Sequence, residues 1–90
     1  MSFEVYAPDR FFINPGQILW IDVELNIYLP PGKKIKIFHH PFLDSFGVVV
    51  IEKEYDDPKK IKVGLLNKNI KPPITYIGIK EYPIGMFTIV

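Results

Sequence analysis

Few side chains in this sequence are equipped for chemistry, and they fall in two short stretches. The first is His39-His40, the only histidines. Adjacent residues on a strand point to opposite faces, so the two rings reach one metal ion only if the backbone bends, a bend that Pro41 can supply. One ring can instead line a pocket or an interface and donate to an anion; ordinary packing is the plain alternative. The second stretch is acidic: Glu52, Glu54, Asp56 and Asp57. Carboxylates this close can supply a general base or hold a hard cation. Their spacing lacks the central Gly and terminal Glu of a calcium loop, however, and Lys53, Lys59 and Lys60 balance them as in any solvated turn. No Gly-rich phosphate loop, Gly-x-Ser-x-Gly or His-Glu-x-x-His occurs. Ser2 and Ser45 are the only serines and neither has a nucleophile's surroundings, while the lack of cysteine removes thiolate chemistry and disulfides together. The chain's own residues therefore imply no catalytic centre, metal site or cofactor.

The elements that must position these residues are short. Ninety residues make one domain, 1–90, and 48% hydrophobic content can fill a core, although a domain of this size buries only about 60% of its unfolded surface. Eleven Lys and Arg against ten Asp and Glu leave a net charge of +1. The basic run Lys33-Lys34-Ile35-Lys36-Ile37-Phe38 is too isolated to predict nucleic-acid binding. No 18-residue apolar run and no leader pattern occur, so the expectation is a soluble intracellular chain with no membrane partner.

Nine prolines and six glycines cut the sequence into lengths that suit strands rather than helices. From Leu19 to Leu29 every odd position is apolar while Asp22, Glu24 and Asn26 take even ones, which predicts one long half-buried strand. Pro30-Pro31-Gly32 ends it, and Lys34 to Phe38 alternates again, predicting an antiparallel hairpin between the two. Val48-Val49-Val50-Ile51 has no polar face, as in a strand buried on both sides. Glu52 to Lys60 reads as a charged loop. Strands are then expected at Lys60–Leu65, Tyr76–Lys80 and Met86–Val90. Seven or so short strands with regular turns predict an all-β sandwich or barrel.

In order, these pieces resemble the deoxyuridine triphosphatase (dUTPase) family. Phe3-Glu4-Val5-Tyr6-Ala7-Pro8-Asp9 is similar to its Gly-Tyr-Asp-Leu-Tyr-Ala motif, and Ile13-Asn14-Pro15-Gly16 to the Ile-x-Pro-Gly that follows. Leu25 to Gly32 matches Ile-x-Ile-x-Leu-Pro-x-Gly, Phe46 to Val50 His-Gly-Ile-x-Val, and Ile61 to Asn67 Ile-x-Val-x-Leu-x-Asn. The resemblance implies a small β-clip or jelly-roll-like fold assembled as a homotrimer, with sites between subunits. It also locates departures. Where the family has Arg-Ser-Gly-Leu-Ala, this chain has His39-His40-Pro41-Phe42-Leu43. Counting back from Ile61 puts Glu54 at the water-activating aspartate and Asp57 at the tyrosine that packs on deoxyribose. The Gly-rich C-terminal arm has no counterpart before Val90.

Each phosphate donor lost costs about 10²–10³ in rate, the order seen when an oxyanion-hole donor is removed. The expectation is a non-catalytic relative, of viral origin and located in the host cytoplasm or the virion. It would bind a nucleotide-like or phosphorylated small molecule through His39, His40, Glu4, Glu54 and Asp57. The alternatives are a trimeric structural or interaction protein, such as a viral capsid decoration, fibre or adaptor subunit, and a residual dUTP pyrophosphatase using Glu54.

Overall fold

Alternation of apolar and polar residues decides most of the architecture. The structure, a computed structural model describing all residues from Met1 to Val90, contains nine strands and one 3-10 turn. The strands are β1 (Phe3–Tyr6), β2 (Phe11–Ile13), β3 (Ile18–Val23), β4 (Ile35–Phe38), β5 (Val48–Ile51), β6 (Lys53–Tyr55), β7 (Ile61–Asn67), β8 (Tyr76–Gly78) and β9 (Pro83–Ile89). They form three antiparallel sheets of order β1-β9-β4-β6, β3-β7-β5 and β2-β8. Inward residues of all three, with Ala7 and Leu43 from the connections, merge into one cluster of fifteen buried apolar side chains. Full burial of one such aliphatic side chain contributes about 1.5–3 kcal/mol.

The structure corrects several expected boundaries. The strand predicted over Leu19–Leu29 ends at Val23, because its partner β7 begins at Ile61, opposite Val23. Leu25, Ile27 and Leu29 still pack against the core, but the backbone beyond Val23 has no ladder, only the bond from Leu25 N–H to the Pro58 carbonyl. The predicted hairpin does not form. After Gly32, in the left-handed region at φ 79°, the chain crosses to the other large sheet, where β4 lies between β9 and β6. Reciprocal backbone bonds between Lys34 and Val90 extend the β4–β9 ladder.

β5 is not buried on both sides within the chain: Val48 and Val50 face the core, Val49 and Ile51 are half-exposed. The charged stretch after it includes β6, an edge strand that keeps Lys53 and Glu54 in water while its backbone pairs with β4. β9 starts at Pro83, earlier than expected. The turn at Pro41–Phe46 went unforeseen because six residues are too few to show a helical period. His40 caps it at one end. At the other Gly47 adopts φ 68°, where any Cβ would collide with the Asn69 amide.

Candidate functional site

A bulge in the β1–β9 ladder falls between Val5 and Tyr6, where Val5 pairs with Gly85 and Tyr6 with Pro83. Bulges re-aim side chains, and Tyr6 here reaches the largest depression of the chain, a groove of about 780 Å³. The end of β3 contributes Asp22 and Val23 to its lining and Glu24 follows directly after the strand, while the start of β7 with the preceding turn contributes Lys59, Lys60, Ile61 and Lys62. The β3–β7 register sets Asp22 opposite Lys62, and the two pair at 3.3 Å on the surface. Lys59 and Lys60 have no carboxylate within ion-pair distance. Three ammonium groups against two carboxylates, with a tyrosine at one end, suit an anionic ligand carrying a ring.

Two of the five expected site residues support this groove from outside. Glu4 accepts the Tyr6 hydroxyl at 2.8 Å, and that bond, followed by the one from His40, holds its carboxyl below the ordinary 4.5. The same bond pushes the Tyr6 phenol above its ordinary 10.0. Asp57 accepts the Lys59 backbone N–H at 2.9 Å, fixing the turn that presents the two free lysines.

The histidines diverge. His40 Nδ1 accepts the Phe42 N–H at 3.0 Å, which places its proton on Nε2, 2.6 Å from Glu4 Oε2. His39 Nδ1 accepts the Val50 N–H at 3.3 Å and its Nε2 meets Asp44 Oδ1 at 2.6 Å. Each imidazole thus ties the segment after β4 to another part of the chain. Glu54 lies on β6 opposite Lys36, exposed and outside the groove. Among the five, the one side-chain hydrogen bond joins Glu4 and His40.

Asp22, Glu24, Lys59, Lys60 and Lys62 were not singled out as site residues from sequence. The usable signal was the Asp57-Pro58-Lys59-Lys60 turn just before a strand; the facing carboxylates depend on a non-local register. Elsewhere, hollows of about 310 and 360 Å³ flank β8. The buried Tyr76 hydroxyl near them has no hydrogen-bond partner. No three His, Asp or Glu side chains converge in a way that could hold a metal ion, and no helix is long and apolar enough to cross a membrane.

No protein-family model matches the chain, and no curated protein sequence matches it. Solved structures do. A mutant dUTPase from phage phi11 of S. aureus superposes with a TM-score of 0.80 at 14% identity, over 99% of this chain and 75% of the other. The Staphylococcus bacteriophage 80alpha dUTPase, as two mutants each with dUpNHpp, gives TM-scores of 0.78 and 0.73 at 13% and 12% identity. Those matches cover 99% of this chain and 71% and 69% of the others. With nearly every residue placed on that β framework and so few of them identical, the chain has a dUTPase-like fold.

Proposed function

We propose that this chain is a non-catalytic protein of dUTPase-like fold, of viral origin, that works as a homotrimer and holds a nucleotide-like or other phosphorylated small molecule. The observation that carries the reading is the groove in which Lys59 and Lys60 stand without carboxylate partners beside Tyr6. Ammonium groups act on phosphate as point charges and need no fork geometry. Tyr6, braced by Glu4 and His40, offers a ring edge or hydroxyl to the base or sugar.

Binding without turnover is supported by what stands at the altered motif. His39 and His40 replace the arginine and serine expected there, and both rings are engaged by carboxylates of the same chain. Phosphoryl chemistry depends on positioning and on stabilising developing negative charge, and neither imidazole is free to do so. The phi11 dUTPase coordinates a structural Mg(II) ion; the residues of this single chain do not fit such an ion, since no three ligating side chains converge. The viral origin draws support from the phage neighbours. Phage dUTPases such as the 80alpha protein control transfer of virulence genes by a proto-oncogenic G protein-like mechanism.

Calorimetric titration with dUTP, dUDP, dUMP, cyclic nucleotides and pyrophosphate tests the reading. At least one should bind, more weakly as salt rises, and Lys59→Ala with Lys60→Ala should weaken it about tenfold or more. No heat from any member of the panel would overturn it.

A further inference from the structure

The β2–β8 ribbon has only two strands, so β8 is paired on one side alone. None of residues 75–78 takes part in a backbone hydrogen bond beyond the ladder to β2. Along β8 runs the hollow of about 310 Å³, lined by Ile74 to Ile77 of the strand and its approach together with Ser45, Phe46 and Asn69. The hollow of about 360 Å³ lies over the ribbon between Arg10, Phe12 and Ile77. Phe12 and Ile77 stand directly opposite one another in the register and are 62% and 57% exposed. Edge strands are ordinarily blunted by charged side chains or proline. β6, the edge of the four-stranded sheet, carries Lys53 and Glu54. Ile74-Thr75-Tyr76-Ile77-Gly78-Ile79 has neither charge nor proline. Cations stand instead at its two ends, Lys68 and Lys71 before it and Lys80 after it, with Arg10 on the approach to β2. None of the four has a carboxylate within ion-pair distance, and no Asp or Glu occurs from Leu66 to Lys80. Asp9 and Glu81 flank the region and offset only part of this charge.

We propose that the open edge of β8 takes up an extended acidic segment of another protein as a third strand of the ribbon. Strand addition draws affinity from main-chain hydrogen bonds and specificity from pockets for alternate side chains, and β8 offers an unpaired edge with a hollow on either side of Ile77. An uncharged edge with cations at both ends is complementary to an apolar centre between acidic ends. A second copy would bring the same cations to the edge and be repelled. An anionic lipid surface would satisfy the cations but offers the edge no strand to pair with. The surface shares no residue with the groove of Lys59 and Lys60.

The test is a nitrogen-15 NMR titration of the full chain with the peptide Asp-Glu-Val-Ile-Val-Glu-Asp, capped at both ends. Saturable shifts are expected at the amides of Ser45, Phe46 and residues 74–79, with slower hydrogen exchange in β8. A peptide with Pro at its centre, which lacks the main-chain donor, should bind about tenfold more weakly or less. The peptide with Lys in place of every acid should not bind. Ile77→Glu, at an exposed position, should weaken the acidic peptide about tenfold or more. No shift at millimolar peptide, shifts confined to Lys59–Lys62, or equal binding of the lysine peptide would overturn the proposal. So would β8 signals lost to phosphatidylserine vesicles but untouched by the peptide, or β8 shifts that grow with protein concentration alone. Because the peptides report on the unaltered chain, they decide the matter even if the variant fails to fold.

Discussion

Two polar nodes join distant segments of this chain, and they differ chiefly in exposure. Asn67, fully buried on β7, donates from Nδ2 to the Ile13 and Ile74 carbonyls at 2.8 Å each, while its Oδ1 accepts from the Asn69 backbone N–H and side-chain amide. Glu4, exposed on β1, accepts from Tyr6 and His40. Water can replace either partner of Glu4, whereas Asn67 is fully buried and so is its bond to the Ile13 carbonyl. A bond that water can replace contributes little net stability, whereas an orphaned buried group keeps its full desolvation cost. By this account the first node holds the fold and the second only orients Tyr6 toward the groove.

The contrast breaks most visibly at Asn67. Asn67→Ala takes the partner from the buried Ile13 carbonyl, the Ile74 carbonyl and the Asn69 backbone N–H, and should cost about 2 kcal/mol or more in denaturant unfolding. A loss below about 1 kcal/mol would mean that water enters and the node is not dry. Tyr76 sharpens the contrast from the opposite side, as a buried hydroxyl with no partner. Tyr76→Phe should therefore stabilise the chain by up to about 1 kcal/mol in the same assay. Burial also raises the Tyr76 phenol above its ordinary 10.0, as it does Tyr55. A raised folded value gives stability that is complete below the unfolded value and is lost as pH rises through the folded one. Wild-type stability should then decline above pH 10, and less steeply in Tyr76→Phe. An identical alkaline slope in the two proteins would contradict this.

The smallest effect is expected at Glu4. Its lowered carboxyl contributes stability above the ordinary 4.5 that disappears as pH falls through the lowered value. Glu4→Gln should melt like wild type at neutral pH and show a flatter acid limb. A large loss at neutral pH would erase the distinction between the nodes.

Sequence pattern showed which residues face inward more faithfully than which strands pair. Ile21, Val23, Leu25, Ile27 and Leu29 all turn toward the core as their alternation predicts. Alternation is a local property of one strand, though, and the ladder ends where a distant partner begins. β6 escaped notice because an edge strand needs no apolar residues, only a backbone facing a neighbour. The histidine turn escaped because Pro41 and a single cap define it, not periodicity. In the groove, Lys59 and Lys60 were legible as charges balancing nearby acids. What the sequence could not reveal is that the acids of that same stretch point elsewhere, Glu54 along β6 and Asp57 into its own turn, which leaves the lysines unpaired.

Phosphorus NMR of dUTP with magnesium and a stoichiometric amount of the protein tests the central claim most directly, because one spectrum reports both occupancy and turnover. The account predicts triphosphate lines that shift or broaden when protein is added and then persist, with no pyrophosphate signal growing in. Lines that stay unchanged, or a pyrophosphate resonance that rises with protein concentration, would contradict it.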